Sequence, residues 1–113
     1  MVYTVRVAAA VERDLSDIYD YIATAASAAR AVRVLERLRR DVLNLAKEPE
    51  RGSWPPELLA LGLRDFRQLV SRPYRIFYRA TLHKNGQQVM VLLIADTRRN
   101  MLPLLERRLL SAL

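Results

Sequence analysis

Apolar residues recur at Val11, Leu15, Ile18 and Ile22, separated by four, three and four positions, which places them on one face of a helix. The pattern predicts a helix from about Val11 to Ala25, with Asp14, Asp17 and Asp20 outside the apolar stripe. An Ala-rich stretch, Ala23 to Ala31, contains Ser27, whose hydroxyl is suited to cap a second helix beginning near Ala28. Val32, Leu35, Leu38, Val42 and Leu45 continue the apolar stripe, while Arg30, Arg33, Arg37 and Arg40 share a different face. This second helix is expected to end near Lys47, before Pro49. Together the two segments predict an antiparallel helical hairpin with one apolar seam.

Elsewhere the period shortens to two. Tyr3 to Val7 alternates β-formers with Thr4 and Arg6 and predicts a first strand. Asp65 to Val70, Tyr74 to Leu82 and Gln87 to Ala95 predict three more, the last two joined by Lys84-Asn85-Gly86, a hairpin signal. Within Tyr74 to Leu82, one face would carry Tyr74, Ile76, Tyr78 and Ala80, and the other Arg75, Phe77, Arg79 and Thr81, with the arginines outward. Val89 to Ala95 is apolar on both faces, as expected of a central strand covered by helices on one side and by the C-terminus on the other. Pro49, Gly52, Pro55 and Pro56 mark a loop in which Trp54 is the expected anchor, and Met101 to Ala112 predicts a final helix with Pro103 in its first turn. The fold class that follows is α+β, in the order β-α-α-β-β-β with a short C-terminal helix. The helical hairpin packs on a small, mainly antiparallel sheet that the N-terminal strand completes. One domain spans residues 1–113, a length that can bury a core without disulfides or metal.

Composition narrows the chemistry. Half the residues are hydrophobic (51%) and 27% are charged, which places the chain among globular proteins. The absence of cysteine excludes disulfides, thiolate nucleophiles and cysteine-bound metal, and a single histidine argues against zinc. No apolar run is long enough to cross a bilayer, so a cytoplasmic, membrane-free protein is expected, with no metal or cofactor. The net charge of +7 is unevenly placed: residues 1–57 carry nine basic and nine acidic side chains, residues 58–113 ten and three. Such a surface attracts nucleic acid or an acidic protein segment, and charge alone does not choose between them.

Local strings carry a family resemblance over nearly the whole chain. Glu12-Arg13-Asp14-Leu15-Ser16-Asp17-Ile18-Tyr19-Asp20-Tyr21-Ile22 resembles the first helix of the RelE/ParE toxins. Arg67-Gln68-Leu69-Val70 followed by Pro73-Tyr74-Arg75-Ile76-Phe77-Tyr78-Arg79 resembles their hallmark strand pair, and Asp96-Thr97-Arg98-Arg99 resembles the segment after their last strand. The resemblance implies the toxin of a type II toxin-antitoxin pair, of the kind associated with plasmid stabilization and growth inhibition. In that family ParE toxins inhibit DNA gyrase, and RelE toxins cleave mRNA on the ribosome. RelE-type cleavage uses sheet lysines and arginines with a late tyrosine. This chain has only Lys47 and Lys84 and no tyrosine after Tyr78, which favours the ParE branch. The alternative is a RelE-like endoribonuclease, and a third reading is a non-toxic member that only binds a partner. The resemblance further implies an acidic, ParD-like antitoxin in a hetero-oligomer, gyrase as target, operator DNA contacted only through the antitoxin, and no catalytic residue.

Each candidate also has a plainer reading. Arg67, Arg72, Arg75, Arg79, Arg98 and Arg99 form the candidate target- or antitoxin-binding surface, although strand arginines also serve as solubilising, edge-protecting residues. Arg30, Arg33, Arg37 and Arg40 suit contact with nucleic acid, but with Asp14, Asp17 and Asp20 available across the hairpin they are expected to be a solvated, partly paired face. Those aspartates lack the glycine-bearing loop or histidines of a metal site and read as structural charge. His83 is expected in an exposed turn, and most of Tyr19, Tyr21, Tyr74 and Tyr78 against the core rather than stacked on bases.

Overall fold

A computed structural model describes residues 2–83 and 86–110, with the backbone alone at positions 82 and 83. The predicted turn at Lys84 and Asn85 and the last residues of the expected C-terminal helix therefore lie outside the described residues. The elements run β1 (Thr4–Val7), α1 (Ala9–Ala25), α2 (Ala28–Asn44), α3 (Pro56–Leu59), β2 (Arg67–Ser71), β3 (Tyr74–His83), β4 (Gly86–Asp96) and α4 (Met101–Arg108). Ser27 caps α2 as its sequence position suggests, its hydroxyl accepting the Arg30 N–H at 3.1 Å. The short α3 was hidden in the proline-rich loop. Pro56 at its first turn has the preset φ and needs no N–H partner there.

Four strands form one sheet in the order β1-β4-β3-β2, with β1 parallel to β4 and the other pairs antiparallel. The apolar strand β4 is thus central, and it is covered on both faces. The α1–α2 hairpin lays Val11, Ile22, Leu38, Val42 and Leu45 over Tyr74, Ile76, Tyr78, Val89 and Val91. On the opposite face α4 and the segment around α3 bury Leu104, Leu105, Leu109, Leu58 and Phe66 against Phe77, Leu93 and Ala95. Each fully buried leucine or phenylalanine contributes on the order of 1.5–3 kcal/mol from area removed from water. Among the described residues no helix is long and apolar enough to cross a membrane.

The pairing of β3 with β4 is interrupted once. Phe77 lies opposite Leu93 and Tyr78 opposite Val91, so Leu92 is an extra residue with no partner. This bulge changes the phase of side-chain alternation. Val89 and Val91 before it, and Ile94 after it, face the hairpin, whereas Leu92 and Leu93 join the core on the other face. Strand β1 ends opposite Val91, so the part of β4 beyond the bulge has no strand on that side.

Candidate functional site

A cleft with a volume of about 400 Å³ opens between α1 and the C-terminal end of β4. Ile18 of α1 and Ile94 and Ala95 of β4 give it an apolar wall, and Asp14, Asp17, Tyr21, Tyr74, Asp96, Arg98 and Arg99 bring polar groups to it. Strand β4 carries Asp96 to the rim, and the following turn folds Arg98 back upon it. The Asp96 carboxylate accepts the Arg98 backbone N–H at 2.8 Å and guanidinium bonds at 3.0 and 2.7 Å. These bonds hold the Asp96 carboxyl below the usual carboxylate range and push the Arg98 guanidinium upward. Thr97 donates its N–H to the carbonyl of Pro73 at 2.7 Å, which ties this turn to the one joining β2 and β3.

That second turn is held from above. Arg37 of α2 donates to the Ser71 hydroxyl at 3.2 Å and to the Arg72 carbonyl at 2.7 Å. Tyr74, the first residue of β3, lies between the two turns. Burial raises its phenol's pKa and the nearby Asp96 charge adds to the rise, opposed by Arg37 and Arg98. Of the four tyrosines expected mostly against the core, Tyr74 and Tyr78 are buried and Tyr19 half-buried, whereas Tyr21 is 63% exposed and stands at the rim.

The six arginines taken from the sequence as one surface separate into two groups. Arg72, Arg98 and Arg99 are exposed, and Arg98 and Arg99 line the cleft. The remaining three are built into the fold. Arg75 was expected to point outward, but its side chain is only 12% exposed. It makes two 2.8 Å bonds to the carboxylate of Glu57 and bonds to Gln68, with its guanidinium 4.7 Å from the Phe77 ring centre. The physical reason is the proline-rich segment: it places Glu57 of α3 over this face of the sheet, so the strand's outward side faces protein. Arg67 stacks on the half-buried Trp54 at 4.0 Å and donates to the Gly52 carbonyl at 2.8 Å. Arg79 lies 5.8 Å from the Phe66 ring.

The hairpin charges also find other partners than each other. Asp14 pairs with Arg108 of α4 and accepts the Ile94 N–H, while Arg37 turns to the β2–β3 turn. Sequence reasoning missed Tyr21, Asp96 and Glu57. The Asp-x-Arg spacing of Asp96 and Arg98 was the legible signal for one of them, since a carboxylate commonly accepts backbone N–H groups two residues ahead. An apolar groove lined by Val5 and Val7 of β1, Leu15 of α1 and Leu38, Val42 and Leu43 of α2 runs beside the free edge of β1. Among the described residues no cluster of three histidine, cysteine, aspartate or glutamate side chains could hold a metal ion.

Comparison with known proteins gives a family and a fold. The family described as "ParE toxin of type II toxin-antitoxin system, parDE" matches residues 5–101. No curated protein sequence matches significantly. Among solved structures, a chain of the "Chromosomal ParDE TA system from P. aeruginosa" superposes with a TM-score of 0.68 at 17% identity, covering 84% of this chain and 96% of that one. At that identity the likeness speaks for the fold.

Proposed function

The chain belongs to the ParE toxin family of type II toxin-antitoxin systems, and from that premise we propose that it arrests growth by binding DNA gyrase, and that a cognate antitoxin neutralises it. Gyrase supplies the DNA chemistry, and the toxin acts by contact, with no active site of its own. The observation that carries this reading is the state of the sheet arginines. Cleavage of RNA by its 2'-hydroxyl needs cations free to meet the phosphate and groups to move protons. Here Arg75 is neutralised by Glu57 and Arg67 is occupied by Gly52 and Trp54, which supports a structural role for these two sheet arginines.

The antitoxin of this proposal is an acidic chain in the cytoplasm, forming a hetero-oligomer with the toxin. The cleft suits an amphipathic segment of such a chain: apolar side chains against Ile18, Ile94 and Ala95, and carboxylates toward Arg98 and Arg99. The groove at the β1 edge offers a second contact of strand or helix type.

A supercoiling assay with purified gyrase, run beside coupled translation with intact-mRNA quantification, tests the target. Inhibited supercoiling with intact mRNA is the expected result. Cleaved mRNA with normal supercoiling would replace gyrase by the ribosome.

A further inference from the structure

We propose that the exposed face of α2 is a binding site for the phosphate backbone of duplex DNA, independent of base sequence. Arg30, Arg33, Arg37 and Arg40 recur at spacings of three, four and three, so they form one ridge about 15 Å long at 1.5 Å per residue. Arg30, Arg33 and Arg40 are exposed and form no ion pair among the described residues. Among the described residues no ion pair joins Arg30, Arg33 or Arg40 to Asp17 or Asp20 across the hairpin or to Glu36 and Asp41 on α2 itself, Asp14 is committed to Arg108, and Arg37 reaches the β2–β3 turn. Its bonds to Ser71 and to the Arg72 carbonyl carry the ridge onto that turn, where the Arg72 side chain is exposed.

A duplex carries about one phosphate charge per 1.7 Å of axis over both strands, so a 15 Å length holds roughly nine, of which the ridge meets those on its own side. Guanidinium forks meet phosphate oxygens two at a time. An acidic helix fits this face poorly. Helix docking relies on apolar anchors in a groove, and neither the cleft nor the apolar groove is lined by Arg30, Arg33, Arg37 or Arg40. Val32 and Leu43, the exposed apolar residues of α2, lie roughly 100° around the helix from the ridge. Charge without anchors is the arrangement of backbone contact, which reads no bases. The site does not depend on gyrase being the target, and it differs from operator recognition through an antitoxin.

The test is fluorescence anisotropy of the full chain with two 24-bp duplexes of unrelated sequence, from 50 to 200 mM salt, with circular dichroism checking each variant's fold. The two duplexes are expected to bind equally. R30A/R33A/R40A should weaken binding at least about tenfold at 50 mM salt and lower the slope of log affinity against log salt by about 2.7. R30K/R33K/R40K should retain the slope, and R6A/R13A/R64A, which removes the same charge from other exposed positions, should retain most of it. Failure of the parent chain to bind either duplex at 50 mM salt would overturn the proposal. So would equal losses in the two alanine triples, which would mean diffuse charge. A glutamate-rich peptide that binds the ridge where DNA does not would assign the face to an acidic protein segment instead.

Discussion

Asp14 and Arg108, 94 positions apart, close the open end of β4 by pairing over the bulge at Leu92. The Arg108 guanidinium meets both carboxylate oxygens of Asp14 and donates to the Leu92 carbonyl at 3.1 Å, while Asp14 accepts the Ile94 N–H at 3.2 Å. Beyond the end of β1 these backbone groups face no neighbouring strand. An ion pair from α1 and α4 thus replaces two missing ladder bonds and joins the hairpin on one face of the sheet to the helix on the other.

Breaking that pair should cost more than a surface ion pair would. The two side chains are 25% and 11% exposed, so removing either leaves a partly buried charge and an unsatisfied backbone group. We expect Asp14→Ala and Arg108→Ala each to lose about 1–3 kcal/mol in urea unfolding. The double variant should lose less than their sum, with a coupling of at least about 0.5 kcal/mol. Strictly additive losses would mean that the pair is incidental to the clip.

The pair of Arg75 with Glu57 predicts an acid-sensitive step. Hydrogen bonding from Arg75 holds the Glu57 carboxyl below its ordinary 4.5, against an opposing rise from burial. A folded-state value below the unfolded one gives stability that is complete above 4.5 and lost as the pH falls through the folded value. Unfolding free energy of the parent chain should therefore drop between pH 5 and pH 3 more steeply than that of Glu57→Gln. Identical slopes would show that the pair is screened by solvent. For the same reason Arg75→Glu should disrupt the fold, where an outward arginine would have tolerated the change.

Periodicity located both hairpin helices, the Ser27 cap and all four strands because side-chain pattern and local capping are properties of neighbouring residues. The central place of β4 was legible because Val89 to Ala95 is apolar in both phases. The bulge was not, since an extra residue in a continuous apolar run leaves no mark on its pattern. Nor was the fate of Arg75: a strand pattern separates two faces but does not say that a proline-rich loop returns to cover one of them with Glu57. The candidate surface divided for that reason. Its turn arginines Arg72, Arg98 and Arg99 remained exposed, and its strand arginines acquired partners distant in sequence.

Gly52 is predicted to stabilise the loop that brings Glu57 into place, because it lets the chain pass close to β2 and Tyr78. Its N–H donates to the Tyr78 hydroxyl at 2.9 Å, and that hydroxyl donates to the Pro49 carbonyl at 2.8 Å. A Cβ at position 52 would lie 2.5 Å from the Gln68 carbonyl oxygen and 2.7 Å from the Tyr78 hydroxyl. Gly52→Ala should cost about 1–3 kcal/mol through overpacking, and Tyr78→Phe about 1–3 kcal/mol through unsatisfied partners. Thermal or urea unfolding checks both. Because the two act on one contact, their combination should fall short of additivity.

The cleft predicts a separation of binding from stability. Arg99 and Tyr21 are exposed at its rim, and Arg98, although bonded to Asp96, has a side chain 74% exposed. Substitutions at exposed positions outside hydrogen-bond networks ordinarily change stability by no more than about 0.5 kcal/mol, as expected of Arg99 and Tyr21, whereas a change at Arg98 also breaks its bonds to Asp96. If an acidic antitoxin segment lies in the cleft, Arg98→Glu with Arg99→Glu should weaken the complex by at least about tenfold, chiefly at low salt, because opposite charges at an interface rim act through screened attraction. Tyr21→Ala should weaken it with little salt dependence, because what it removes is aromatic contact area. Titration calorimetry of antitoxin into toxin at two ionic strengths distinguishes the two effects. Full affinity in both variants, with the fold intact, would move the antitoxin from this cleft to the groove beside β1, where Val7→Lys and Leu43→Lys would then be the substitutions that release it.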